Sequence, residues 1–155
     1  MKFMNQAITC ARRAFLHDDV PIGAVIVRDG KVIARGENQV QLRKNPTLHA
    51  EIVAINRACR KLGTKFLDNC DIYVSLEPCA MCATAISFAR IKNIYFAAAD
   101  EKGGGIMSNA RVFETDKHLW KPAVYQMQDY SELSAQMLRD FFRIRRMKNA
   151  EIENK

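Results

Sequence analysis

The chain has 155 residues, of which 48% are apolar, and it carries a formal net charge of +7. This length and apolar content predict a single folded domain over 1–155 and exclude a disordered chain. No apolar run reaches the ~18 residues of a membrane span, and the start of the chain lacks a secretory signal, so we expect a cytoplasmic protein. The positive charge favours a polyanionic partner without identifying one.

The first half of the chain is predicted to contain two helices that flank a β-hairpin. Apolar residues at three- and four-residue spacing predict a helix over about 1–17. A β-branched run predicts a strand over 22–27, and the Asp29-Gly30 turn leads into a second strand over 31–37. After a polar, irregular segment, a second helix is predicted over 49–62.

A strand–helix–strand unit is predicted next. It consists of a strand over 71–76, a helix that begins at Pro78 and ends near Arg90, and a strand over 93–98. Because such crossovers are right-handed and join parallel strands, we expect these two strands to be parallel. Open α/β sheets bind ligands at the carboxyl ends of their strands, so a site is expected where the first of these strands ends.

The last part is predicted to be a long loop, a short strand and a helix. Residues 100–122 are loop-like, and the glycines at 103–105 do not match a phosphate-binding motif and indicate a flexible turn. A short strand is expected over 124–127. A final helix follows from Ser131, with an apolar face formed by Leu133, Met137, Phe141 and Ile144.

The end of that helix is basic. Between Arg139 and Lys148 there are five basic residues and one acidic residue, interleaved with Phe141 and Phe142. One interpretation is a solvated face whose charges suit the C-terminal end of a helix dipole. The other is a surface that holds a folded RNA through its phosphates and through stacked bases.

Two short segments, His49-Ala50-Glu51 and Pro78-Cys79-Ala80-Met81-Cys82, give the clearest chemical signal. His49, Cys79 and Cys82 are borderline or soft metal ligands, and three protein ligands leave a fourth position open, as in a catalytic zinc site. Zinc acidifies water at that position to a hydroxide, and Glu51 would be free to move protons. The joint pattern, H-x-E followed by P-C-x-x-C, is the signature of zinc-dependent nucleobase deaminases.

Both segments are predicted to lie at helix N-termini, where unpaired backbone N–H groups and the dipole favour anionic ligands. His49 and Glu51 fall in the first turn of one helix, for which Thr47 or a neighbour provides the cap. Cys79 and Cys82 share a face of the other helix. Taken alone, the C-x-x-C pair also fits a redox pair, half of a structural zinc site or two core thiols. Three further cysteines are expected to pack as small apolar residues: Cys10, Cys59 and Cys70.

Further segments accompany the metal motif: Val20-Pro21-Ile22-Gly23-Ala24-Val25, Asn38, Pro46-Thr47-Leu48, Leu76-Glu77, Asp100 with Lys102-Gly103-Gly104, and Phe141-Phe142-Arg143-Ile144-Arg145-Arg146. With them, nearly the whole chain resembles the bacterial tRNA-specific adenosine deaminases, members of the cytidine deaminase-like superfamily. The zinc motif is specific to the superfamily, and the Phe-Phe-Arg-x-Arg-Arg ending points to this member. The sequence differs from many relatives over 104–108 and 110–122.

The resemblance implies a three-layer α/β/α fold with a five-stranded mixed sheet flanked by helices, a homodimer and one Zn²⁺ per subunit. It implies hydrolysis of the wobble adenosine of a tRNA anticodon to inosine by a zinc-bound hydroxide. The implied ligands are His49, Cys79 and Cys82, and Glu51 is the implied proton shuttle. The implied partner is a tRNA anticodon stem-loop, and neither a membrane nor DNA is expected. Four residues are implied to meet the RNA: Asn38 at the flipped nucleotide, Asp100 near the ribose-phosphate, and Phe142 and Arg145 along the strand.

Two other functions are compatible with the motif. The chain could be a deaminase of a free nucleobase or nucleoside, of the guanine or cytosine type, although such an enzyme has no need of a basic, aromatic C-terminal helix. It could also be a non-catalytic RNA-binding subunit with a structural zinc. The presence of Glu51 favours catalysis over that second alternative.

Overall fold

The computed structural model describes residues 1–153 and is organised around one five-stranded sheet with the strand order β2-β1-β3-β4-β5. The strands are β1 (Gly23–Arg28), β2 (Lys31–Glu37), β3 (Cys70–Leu76), β4 (Asn93–Ala98) and β5 (Ala123–Gln126). Strand β1 pairs antiparallel with β2 and β3, whereas β4 pairs parallel with β3 and β5. The predicted mixed sheet and its parallel crossover unit are therefore confirmed.

Helices cover both faces of this sheet. They are α1 (Lys2–Leu16), α2 (Val40–Arg43), α3 (Ala50–Leu62), α4 (Ala80–Phe88), α5 (Val112–Thr115) and α6 (Ser131–Glu153). Helices α3 and α4 pack on one face, while α1 and α6 lie on the other, where the rings of Phe15 and Phe141 meet at 5.7 Å. The predicted three-layer architecture is confirmed. None of the helices within 1–153 combines the length and apolar character needed to cross a bilayer.

Side-chain alternation along the strands divides the core into two parts. In β1, Ala24 and Ile26 pack beneath α3, whereas Val25 and Val27 pack beneath α1. A strand covered on both faces is apolar throughout, which is why this segment is a continuous apolar run. Cys10 and Cys70 are buried in these two clusters, as the sequence predicts.

Two glycines let helices approach the strands closely. A Cβ atom at Gly36 would lie 2.2 Å from the Ala50 carbonyl oxygen and 2.7 Å from the Ala54 nitrogen. At Gly23 it would lie 2.1 Å from the Ala7 carbonyl oxygen. Glycine within a strand commonly marks such an approach, and Gly36 thereby sets the position of the first turn of α3.

Two segments expected to be irregular contain short helices. In the polar segment after β2, the N–H groups of Gln41 and Leu42 in α2 donate to the carboxylate of Asp19, which is fully buried. Because Asp19 is 22 and 23 residues away in sequence, local patterns gave no sign of this helix. In the 100–122 segment, α5 begins where the Val112 N–H donates to the Gly105 carbonyl oxygen.

The apolar face of α6 is only partly as predicted. Phe141 is buried and Met137 packs against the core, but Leu133 is 45% exposed. Leu133 instead borders an apolar groove of about 460 Å³ between α1 and α6, which Phe15 and Met137 also line.

Candidate metal centre and nucleotide groove

Helix α3 brings His49 and Glu51 to the carboxyl edge of the sheet. The helix begins at Ala50, so His49 is its N-cap and only Glu51 lies in the first turn, one residue later than predicted. Of the caps that the sequence allowed, Thr47 or a neighbour, Thr47 does not cap the helix, since its N–H and hydroxyl both bond to the Asn45 side chain. As the cap, His49 has an extended backbone and lies just outside the helix.

Helix α4 presents the two cysteines. It begins at Ala80 with Cys79 as its N-cap, so Pro78 precedes the helix and does not occupy its first position as predicted. Cys79 is half-buried and Cys82 is fully buried. Both metal-motif segments thus lie at helix N-termini, as the sequence predicts. In each, the helix begins later than predicted, and a proposed metal ligand is the cap residue.

The three predicted ligands converge. The His49 Nδ1 atom lies 3.6 Å from the Cys79 sulfur and 3.6 Å from the Cys82 sulfur, and all three donor atoms lie within 4.8 Å of one another. Tetrahedral zinc with bonds of ~2.3 Å to sulfur and ~2.0 Å to nitrogen places such atoms about 3.5 Å apart. The donor set and its spacing therefore fit a zinc ion, and they form a group that could hold a metal.

Hydrogen bonds among these donors shift their pKa values. Cys82 bonds to the Cys79 sulfur and lowers the pKa of that thiol to about 4. The same contact raises the pKa of Cys82, and the bond to Cys79 raises the pKa of His49. One thiolate is therefore formed at neutral pH, and the thiolate is the form that binds metal.

Glu51 is a buried carboxylate beside this centre. It is 3% exposed, and its Oε2 atom has no hydrogen-bond partner within 1–153. Burial raises the pKa of Glu51 to about 7, which poises it to take up and release protons near neutral pH. An unsatisfied buried oxygen of this kind is costly for stability and calls for a functional explanation.

Asn38 lies next to the same segment. The side chain is 4% exposed, and its Oδ1 atom accepts a hydrogen bond of 2.9 Å from the Ala50 N–H. Asn38 thus supplies an acceptor at the start of α3 that was expected from Thr47 or a neighbour. The contact fixes the Asn38 amide beside His49 and Glu51.

The glycine-containing loop is tightly packed and not the flexible turn that was expected. Gly105 donates to the Pro78 carbonyl oxygen at 2.7 Å, and Gly104 forms an isolated β-bridge with Cys79. A Cβ atom at Gly105 would lie 2.4 Å from the Ala80 nitrogen. The glycines are needed for close approach to the first turn of α4.

Glu77, for which the sequence patterns predict no role, organises this loop. It is 2% exposed, and its carboxylate accepts hydrogen bonds from Asp100, Ile106, Met107 and Ser108. Burial alone would raise the pKa of Glu77, but the Ser108 hydroxyl and these backbone N–H groups outweigh burial and lower it. Its partners are 23 to 31 residues away, so only the position before Pro78-Cys79 could have drawn attention to it.

Two of the predicted RNA-contact residues line one groove. A groove of about 450 Å³ runs from the end of β3 at Leu76, past Asp100 and Lys102, to Arg139 and Phe142 of α6. The Asp100 Oδ1 atom also accepts bonds from Lys102 and Gly103 within its own loop. Arg145 is not brought to this groove, since it donates to the Asp18 carbonyl oxygen and lies 5.7 Å from the Phe141 ring centre.

Comparison with known proteins places the chain among deaminases. A family model described as MafB19-like deaminase matches residues 1–146. The tRNA-specific adenosine deaminase of Agrobacterium fabrum (strain C58 / ATCC 33970) is 49% identical over 94% of this chain and 95% of that protein.

Solved structures of deaminases also resemble this chain. A structure from biochemical and structural studies of A-to-I editing by tRNA:A34 deaminases at the wobble position of transfer RNA has 48% identity and a TM-score of 0.84. The match covers 88% of this chain and 99% of that one. Guanine deaminase from Bacillus subtilis has 40% identity and a TM-score of 0.62, over 74% of this chain and 68% of its own.

Proposed function

Because the chain belongs to the tRNA-specific adenosine deaminases, we propose that it hydrolyses the wobble adenosine of a tRNA anticodon to inosine as a single domain over 1–155. In this reaction water adds at C6 of the adenine ring, and the amino group leaves as ammonia. The observation that supports the proposal most directly is the convergence of His49, Cys79 and Cys82 beside Glu51 in a chain that matches such an enzyme over 94% of its length.

His49 Nδ1 and the sulfurs of Cys79 and Cys82 would hold one Zn²⁺ per subunit. When bound, zinc lowers the pKa of water at its open position and so makes a nucleophile available near neutral pH. Glu51 would accept one proton of the attacking water on Oε2 and deliver it to the adenine ring nitrogen N1. It would then carry the remaining proton, from the new hydroxyl at C6, to the amino group, which leaves as ammonia. Burial of Glu51 excludes bulk water from these transfers.

The tRNA anticodon stem-loop would lie along the groove and α6. Asn38 would contact the flipped nucleotide, Asp100 would approach the ribose-phosphate, and Phe142 would stack or pack along the RNA. Arg145 would add positive charge beside the strand. A tRNA substrate also implies that the protein works in the cytoplasm.

A second copy of the chain would pack against α4. This helix contains no charged residue, and its outward side chains include Met81, which is 36% exposed, and Phe88, which is 68% exposed. A helix with an apolar outer face is typically buried by a partner.

We therefore expect Phe88→Glu to convert a homodimer into a monomer in analytical ultracentrifugation. Leu16→Glu, on the opposite layer, should leave it dimeric; a monomeric wild type or a dimeric Phe88→Glu protein would contradict the proposal.

The deciding experiment incubates the purified protein with the tRNA pool of its own cell and measures inosine. We expect inosine with the wild type and none with Glu51→Ala, and both proteins should contain zinc. A Glu51→Ala protein with normal activity would show that the proton-transfer role is wrong.

The main alternative is deamination of a free base, since guanine deaminase shares the fold. A variant in which Arg143, Arg145, Arg146 and Lys148 are replaced by Ala separates the two functions. A tRNA enzyme should lose activity on tRNA, whereas a guanine deaminase should keep full activity on free guanine.

A further inference from the structure

Glu77 lies between the sheet and the metal motif. It follows Leu76, the last residue of β3, and its N–H donates to the Ala98 carbonyl oxygen of β4 at 2.8 Å. Two residues later comes Cys79, a proposed metal ligand. The backbone of Glu77 is thus held by the sheet, and its buried side chain reaches toward the 100–108 loop.

The Glu77 carboxylate accepts five hydrogen bonds from this loop. Its Oε1 atom accepts from the N–H groups of Ile106 at 3.2 Å, Met107 at 2.7 Å and Ser108 at 2.9 Å. Its Oε2 atom accepts from the Asp100 N–H at 3.1 Å and from the Ser108 hydroxyl. Both ends of the loop are therefore tied to one side chain.

The loop has little room to shift around that side chain. A Cβ atom at Gly104 would lie 2.5 Å from the Glu77 Cδ atom and 2.6 Å from the Asp100 carbonyl oxygen. On its other side, Gly104 bridges to Cys79. The carboxylate thus fixes the distance between the end of the loop that carries Asp100 and the helix that carries Cys79.

We propose that Glu77 is a positioning residue for the RNA substrate, which holds the Asp100 wall of the groove in register with the metal centre. This inference rests on the proposed function. Glu77 does not line the 450 Å³ groove, so it acts through Asp100 and the loop. Its loss should weaken substrate binding more than the chemical step.

Glu77→Gln tests this, because a carboxylate accepts at both oxygens whereas an amide presents an NH₂ group to donors that need an acceptor. We expect full zinc content and a KM for tRNA raised about tenfold or more, because the loop loses hydrogen bonds to a charged acceptor. The kcat should change less than about threefold. Ser108→Ala, which removes only one donor, should raise KM in the same direction by less. Glu114→Gln is the control, because Glu114 is an exposed residue of α5.

Hydrogen exchange of the Asp100, Ile106, Met107 and Ser108 amides provides a readout without substrate. Exchange should be faster in Glu77→Gln and unchanged in Glu114→Gln. Unchanged exchange in Glu77→Gln, loss of zinc, or a lower kcat at constant KM would overturn the inference. A wild type that forms no inosine would refute the proposed function instead, and faster loop exchange would still be measurable in that case.

Discussion

The Asn38 Oδ1 atom lies 2.9 Å from the Ala50 nitrogen and accepts its hydrogen bond, although twelve residues separate the two. Ala50 is the first residue of α3, and its N–H is one of those that a helix leaves unpaired. The bond therefore caps the helix from outside it. It also places the Asn38 amide against the segment that carries His49 and Glu51.

Replacement of Asn38 by alanine should therefore destabilise the protein. We expect the free energy of unfolding to fall by about 1–2 kcal/mol, because a buried N–H loses its acceptor. Urea denaturation measures this change. Thr47→Ala is the matched control, since within 1–153 the Thr47 hydroxyl bonds only to the Asn45 side chain and its loss should cost less than about 0.5 kcal/mol. A larger cost for Thr47→Ala than for Asn38→Ala would restore Thr47 as the cap.

Gly36→Ala should be costly for a different reason. The added Cβ atom would meet backbone atoms of Ala50 and Ala54, which cannot move without displacing α3. We expect a loss of about 3 kcal/mol, at the upper end for overpacking. Gly63→Ala should cost only about 1 kcal/mol, because Gly63 has a φ of +65° but open space around it. Thermal and urea unfolding of the two variants test this, and equal losses would argue against the close approach.

The order of the main helices and strands could be predicted because their signals are local. The Asp29-Gly30 turn, the apolar run of β1 and the strand–helix–strand unit each lie within one short stretch of sequence. The group of side chains that could hold a metal could also be predicted, because His49, Cys79 and Cys82 have a recognisable spacing even though they lie at the starts of two different helices.

The residues that support the site could not be predicted in the same way. The buried carboxylate of Asp19 holds α2 from 22 residues away, and that of Glu77 binds a loop up to 31 residues away. Their function depends on which backbone N–H groups the fold brings to them. The close packing of the glycines at 103–105 could not be predicted either, since a tight contact and a flexible turn favour the same residue type.

Zinc should stabilise the folded protein through the three converging donors. With free zinc at about 100 times its Kd, we expect the free energy of unfolding to rise by about 2.7 kcal/mol. Cys82→Ala should abolish most of this gain, whereas Cys70→Ala, at the start of β3, should retain it. Magnesium should have no such effect, because it prefers oxygen ligands. An equal response to zinc in the two cysteine variants would place the metal elsewhere.

The basic end of α6 should contribute to RNA affinity through charge. Arg146 is exposed and borders a surface depression that Phe142 also lines, whereas Arg143 and Lys148 already pair with Asp140 and Asp18. We expect Arg146→Ala to weaken tRNA binding and to reduce the slope of log K against log salt concentration by about 1.

Arg28 provides the control for this prediction. Arg28 of β1 is the neighbour of Cys70 in β3. Because Cys70 begins β3, Arg28 lies at the opposite end of the strands from the candidate metal site. Arg28→Ala removes the same charge from the protein but should leave the salt slope unchanged if binding depends on where the charge lies. Fluorescence anisotropy with an anticodon stem-loop at several salt concentrations measures both variants. Equal slopes for the two variants would indicate that the net charge, and not α6, determines RNA binding.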